Sequence, residues 1–202
     1  DLFASVNVFP NSTDKIIVQS LAVPGNMYNF TLSGQVLTGI ALANSDKYEY
    51  LEITEGLQFL ISLPKLLRAK YLIIDGAKTQ YSITATEVSV YDSLPVIEEL
   101  HLTNTPFNNT VLDFRNCNRL KVLDLTGCTG IASVILPEGD KLKEVYLPAC
   151  LKSLAITNNP RLEKLELESG TDLKSLTLNV NKIGIINVSD LIETYFDFSN
   201  AQ

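Results

Sequence analysis

Apolar residues recur through the second half of the chain as Leu-x-x-Leu-x-Leu, and the middle position of that pattern returns about every eleven residues. Taken as anchors, these positions are Leu100, Leu112, Leu123, Val134, Val145, Leu154, Leu165, Leu176, Ile186 and Phe196. Two residues beyond each anchor stands a second apolar side chain, from Leu102 and Phe114 to Val188 and Phe198. Two apolar residues at period 2 point to one side of a short strand, so each copy predicts a strand with one buried face. Five residues past the anchors come small or hydrogen-bonding residues, Cys117, Cys128, Gly139, Cys150, Asn159, Gly170 and Asn181, which suit a tight inward bend.

Strands at this spacing lack the regular Asn-Gly or Asp-Gly turns that pair sequence neighbours as hairpins. The pattern therefore predicts a β-rich solenoid with parallel strands on two faces. Two half-repeats make a coil of about 22 residues, and equivalent strands stack at roughly 4.8 Å. The first half follows the template less closely. Val18-x-x-Leu21-x-Val23, Met27-x-x-Phe30-x-Leu32 and Leu37-x-x-Ile40-x-Leu42 fit it, whereas Leu51-Glu52-Ile53 and Leu72-Ile73-Ile74 fit only its strand. Residues 57–70 read equally as a short helix broken near Pro64 or as a degenerate coil. The expected organisation is an irregular, β-rich, repeat-like portion over 1–93 and a regular solenoid over 94–202, joined as one continuous domain without a Gly/Ser or Pro-rich linker.

The phrases IEELHLTNTPF, RLKVLDLTGCTGI, KLKEVYLPACL, RLEKLELESGT and DLKSLTLNVNKI resemble leucine-rich repeats, whose pattern is Leu-x-x-Leu-x-Leu-x-x-Asn/Cys-x-Leu. Both halves of each coil carry Leu-x-Leu, which leaves no room for a long convex helix and is similar to bacterial repeats of the internalin J and BspA-like kind. The resemblance implies a binding surface or spacer, found in bacterial surface proteins and some phage virion proteins, with any catalysis supplied by a separate domain.

Composition narrows the function. Of 202 residues 46% are hydrophobic and 19% charged, which argues for a folded chain. A net charge of −7 lacks the broad cationic field that favours nucleic acid, a local patch aside, and no apolar run approaches the roughly 20 residues of a membrane span. The chain opens at Asp1 with neither an initiator Met nor a signal peptide, which predicts a processed product or a piece of something longer.

Because the anchors spend the pattern on the core, function falls to the residues between them. One face presents Glu99, His101, Asp124, Glu144, Tyr146, Lys164, Glu166 and Glu168 and is acidic. The other presents Val111, Asp113, Arg115, Ser133, Ile135, Ser153, Ala155, Ser175, Thr177, Tyr195 and Asp197, small, hydroxylated and partly apolar. The candidate interaction surface is this less charged face, through Val111, Asp113, Arg115, Ile135, Ala155, Thr177 and Tyr195, since interface centres are depleted of charge. The acidic face reads first as solubility.

Catalytic, cofactor and metal residues are not expected. The sole histidine, His101, lacks a ligand set. The three cysteines occupy bends and read as core thiols, stacked as a ladder in preference to a Cys128–Cys150 disulfide. No phosphate loop appears. The expected function is a non-enzymatic interaction or structural module of a larger bacterial surface or secreted protein, contacting another protein or an adjoining domain, at the cell surface or outside it. A structural part of a phage virion is the alternative, motivated by the uncapped look of Phe196-Asp-Phe198. A carbohydrate-active solenoid built on Glu144, Glu166, Glu168 and Lys164 is the remote one.

Overall fold

A computed structural model describes residues 21–23, 29–33, 40–42, 49–57, 65–76, 87–170, 173–179, 185–187 and 195–197. In chain order the strands are β1 (Leu21–Val23), β2 (Asn29–Ser33), β3 (Ile40–Leu42), β4 (Tyr50–Leu57), β5 (Tyr71–Gly76) and β6 (Glu87–Ser89). After helix α1 (Val90–Ser93) come β7 (Glu99–Thr103), β8 (Pro106–Asp113), β9 (Val122–Asp124), β10 (Thr129–Ile135) and β11 (Glu144–Leu147). The series ends with β12 (Ser153–Thr157), β13 (Lys164–Leu167), β14 (Ser175–Asn179), β15 (Ile185–Asn187) and β16 (Tyr195–Asp197).

Every strand pairing among the described residues is parallel, and the chain forms a parallel β-solenoid with coils of about 22 residues. The anchors set the register: Leu72, Leu100, Leu123, Val145, Leu165 and Ile186 oppose one another in turn along one face. That face is an eight-stranded sheet in the order β15-β13-β11-β9-β7-β5-β4-β2. It carries the strands of Phe30, Leu51 and Leu72 into register with the regular coils, so the ladder crosses residue 93 without interruption. Of the ambiguous stretch 57–70, residues 58–64 lie outside the described residues. The part from 65 is a turn that buries Leu66 and Ala69, with the Leu66 amide donating to the Ser93 carbonyl at 2.7 Å.

The opposite face is divided. Strands β10, β8 and β6 form one sheet and β12, β14 and β16 another; Leu112 opposes Val88 and Val134, and Leu176 opposes Leu154 and Phe196. Between β10 and β12 the ladder stops. A separate pair, β1 and β3, aligns Leu21 with Ile40 and Val23 with Leu42.

Leu100, Leu112, Leu123, Val145, Leu154, Leu165 and Leu176 are buried in one continuous apolar interior together with Phe114, Cys117 and Cys128. Burial of each leucine contributes about 1.5–3 kcal/mol, and a side chain inside one coil is covered chiefly by its equivalents above and below. Strand β8 departs from the short-strand expectation. It begins at Pro106, and its register against β10 slips between Thr129 and Ser133, where Asn109 takes φ 51° and Gly130 φ 69°. These extra residues are absorbed as a bulge, the usual device for keeping the following apolar positions inward.

Candidate functional site

The register converts the outward residues of each face into columns. On the continuous face one column runs Tyr50, Tyr71, Glu99, Val122, Glu144 and Lys164, and its neighbour runs Glu52, Ile73, His101, Asp124, Tyr146 and Glu166. Aromatic and cationic groups therefore interleave with the acids. The Tyr50 hydroxyl donates to Glu52 at 2.6 Å, and this bond, with burial and the same negative charge, pushes its pKa up to about 12. Tyr146 donates to Glu144 at 2.6 Å, while the Lys164 ammonium lies 4.7 Å from the Tyr146 ring centre and 2.8 Å from Glu166. Glu168 stands at the end of β13, where its carboxylate accepts the Ala149 amide at 3.1 Å.

His101 Nδ1 and Asp124 Oδ2 are 3.4 Å apart across β7 and β9, and Asp124 also accepts the Thr126 amide at 2.9 Å. Burial alone would raise the Asp124 carboxyl, but the His101 and Thr126 hydrogen bonds outweigh it and hold the group below its ordinary value. Among the described residues no group of three or more His, Cys, Asp or Glu side chains is placed to hold a metal ion.

The cysteines line the bends. The Cys128 thiol donates to the Leu102 carbonyl at 2.6 Å, and the Cys150 thiol to the Cys128 carbonyl at 3.6 Å, so equivalent sulfurs serve successive coils. All three are free thiols. Burial pushes Cys117 and Cys128 up to about 12, where a thiolate is scarce at neutral pH.

The divided face holds the expected interaction residues. Val111 and Ser133 share a column, as do Asp113 and Ile135; across the seam Ser153 and Ser175 align, as do Ala155 and Thr177. Asp113 points outward by register but is only 9% exposed, because Arg115 folds over it. The guanidinium Nε lies 3.1 and 3.0 Å from the two carboxylate oxygens and Nη2 lies 2.6 Å from Oδ2; the Arg115 amide adds a bond of 2.9 Å. The side-chain bond to Arg115 lowers the Asp113 pKa against the opposing effect of burial.

At the seam a shallow concavity of about 420 Å³ opens. Val134, Ile135, Leu136 and Ala155 give it apolar surface, and Arg115, Asn118, Glu138 and Thr157 are its polar lining. Arg115, Ile135 and Ala155 are thus brought together. Val111 and Thr177 stand on their sheets outside the lining, and the side chain of Tyr195 lies outside the described residues.

No protein-family model matches the chain, and comparison with curated proteins and with solved structures gives no match. The lining residues that pattern reading missed are Asn118, Glu138 and Thr157. Glu138 accepts the Thr157 hydroxyl at 3.3 Å and the Asn158 amide at 3.0 Å, and the Gly139 amide donates to the Asn158 carbonyl at 2.8 Å. The same device recurs where Asp75 accepts Thr103 at 3.0 Å and Asn104 at 2.8 Å. In both, the asparagine takes positive φ, 51° at Asn104 and 54° at Asn158, a conformation that Asn tolerates better than most residues. Its signal in the sequence is Thr103-Asn104-Thr105-Pro106 against Thr157-Asn158-Asn159-Pro160.

Proposed function

We propose that the solenoid is a non-enzymatic interaction or structural module of a larger bacterial surface or secreted protein, contacting another protein or an adjoining domain through its divided face. The supporting observation is the seam concavity, in which an apolar patch is bordered by polar groups already fixed by hydrogen bonds. Protein contacts share that anatomy: an apolar centre excludes water while a polar rim sets orientation. The rim is preorganised, since Asp113 holds Arg115 and the Thr157–Asn158 pair holds Glu138. Little side-chain freedom is then left to lose on docking. Leu-x-Leu in both half-coils, with Cys or Asn at the bends, supports the finer reading as a variant of the bacterial leucine-rich repeats of the internalin J and BspA-like kind.

The test is a photo-crosslinking residue placed at Ala155 of the protein in the cells that make it, with the same residue at Lys152 as comparison. A discrete adduct at Ala155, abolished by Ile135→Arg, is the expected outcome. No adduct, or an equal one at both positions, refutes the proposal. An adduct to a second copy of the chain, joined by ordered self-assembly in light scattering, replaces the module by an assembly component such as a virion part.

A further inference from the structure

The turns that lead from the divided face to the continuous one carry a charge opposite to that of the chain. In the turns 65–70, 94–98, 115–121, 137–143 and 158–163 basic residues outnumber acidic ones nine to four, against 16 to 23 in the whole sequence. The excess is ordered by the coil repeat. Arg68, Arg119, Lys141 and Arg161 each stand four residues before an anchor of the continuous face, and all four are exposed. Beside them, at the mouths of the strands, Lys70, Lys121 and Lys143 share the backbone ladder with Glu49, Glu98 and Glu163, so that inner column is balanced and the excess rests on the outer one. Coils advance by about 4.8 Å, so Arg119, Lys141 and Arg161 form a narrow ridge over three successive coils, with Arg68 beyond the one coil that has Val96 at this place.

The largely buried Glu98 holds Lys121 at 2.5 Å and Glu49 meets Lys70 at 3.6 Å, but the acids do not lock the outer cations. Arg68–Glu49 at 3.2 Å, Lys141–Asp140 at 3.0 Å and Lys143–Glu163 at 3.9 Å are exposed pairs, which are weak and exchange readily for another anion. Arg119 and Arg161 form no ion pair with a described residue. A ridge one cation wide with a short repeat fits a thin polymer that presents one anion per unit. Single-stranded nucleic acid needs aromatic platforms for its bases as well, and the turns 115–121, 137–143 and 158–163 contain no aromatic residue. The acids of the continuous face, Glu99 and Glu144 in one column and Asp124 in the next, would repel a broad polyanion and leave room only for a narrow one.

We propose that this edge binds an anionic linear polysaccharide with one carboxylate per sugar, laid along the stacking axis across successive coils. Arg119, Lys141 and Arg161 do not line the seam concavity, so the assignment stands or falls apart from the docking role of that face.

The experiment measures binding of the full chain to polygalacturonate at low and at physiological salt, with its methyl ester as a neutral polymer of the same backbone. Saturable, salt-sensitive binding is expected for the acid and none for the ester. Arg119→Gln combined with Arg161→Gln weakens it by about five- to tenfold. The pair Lys152→Gln and Lys174→Gln removes the same charge from the opposite edge and leaves it unchanged. Circular dichroism of each variant confirms that the fold is retained. Absent binding at low salt, equal binding of the ester, or equal loss in the two double variants overturns the assignment. Tighter binding of a single-stranded oligonucleotide overturns the polysaccharide class.

Discussion

Gly130 provides the sharpest test of the packing between half-coils. It sits in the bulged part of β10 at φ 69°, and a Cβ built on it would lie 2.0 Å from the Phe107 carbonyl oxygen and 2.8 Å from the Phe107 carbonyl carbon. Both atoms are backbone and belong to β8, so relief requires the two strands to part. Gly170 is the matched control, with φ 79° and nothing within 4 Å of the added atom. An L-residue in this left-handed region costs about 1–2 kcal/mol, offset in part by the smaller entropy of the unfolded Ala chain, so Gly170→Ala loses about 1 kcal/mol. Gly130→Ala adds an overpacking cost of about 1–3 kcal/mol, for a total near 3 kcal/mol. For a chain of this size the expected fall in Tm is about 6–12 °C for Gly130→Ala and about 2–4 °C for Gly170→Ala. Thermal melts followed by circular dichroism read both values, and hydrogen exchange should place the loosened amides in β8 and β10. Equal shifts in the two variants would show that conformation alone governs Gly130 and that the backbones do not approach as described.

Leu123→Ala, at a fully buried anchor, should cost about 2–5 kcal/mol in urea denaturation; a loss below about 1 kcal/mol would mean that neighbouring coils close the cavity. With an aromatic disulfide reagent at pH 8, the half-buried Cys150 should react first, and Cys117 and Cys128, whose pKa is pushed up to about 12, should react only on unfolding; three equal rates would contradict that environment. Because Arg115 lowers the folded-state pKa of Asp113, their contact adds stability above the ordinary carboxyl value near 3.8 and loses it as pH falls through the lowered one. Carboxyl NMR should therefore show Asp113 titrating below that value in the parent protein and closer to it in Arg115→Gln, and an unchanged titration would remove Arg115 as the cause.

The inward half of this structure is legible in the sequence because each coil repeats the same demand. Leu100, Leu123, Val145 and Leu165 need only be apolar and correctly spaced, and the parallel register follows. Spacing also explains what was obscured. Between Leu72 and Leu100 the coil accommodates α1, and at Pro106 to Asp113 a bulge absorbs extra residues, so the period looks broken where the ladder is intact. The seam had no such signature: whether β10 and β12 exchange hydrogen bonds depends on the path of the connecting coil, not on which residues are apolar. Outward contacts lie between. That His101 meets Asp124 follows from register, whereas the folding of Arg115 over Asp113 depends on a rotamer that no period encodes. The basic ridge could be read directly, from Arg68, Arg119, Lys141 and Arg161 at one offset from their anchors, but net charge averages it away.

The seam also has a mechanical meaning. A stack of parallel strands resists bending through its ladder hydrogen bonds, which must stretch on the outer side of any curve. Among the described residues one flange is a sheet that passes unbroken from β2 to β15, whereas the run from β6 to β16 on the other is cut between β10 and β12. A beam notched on one side concentrates its compliance at the notch and yields in one direction. Bending across this stack would therefore meet least ladder resistance at the seam, opposite β9, β11 and β13, and would alter the width of the concavity.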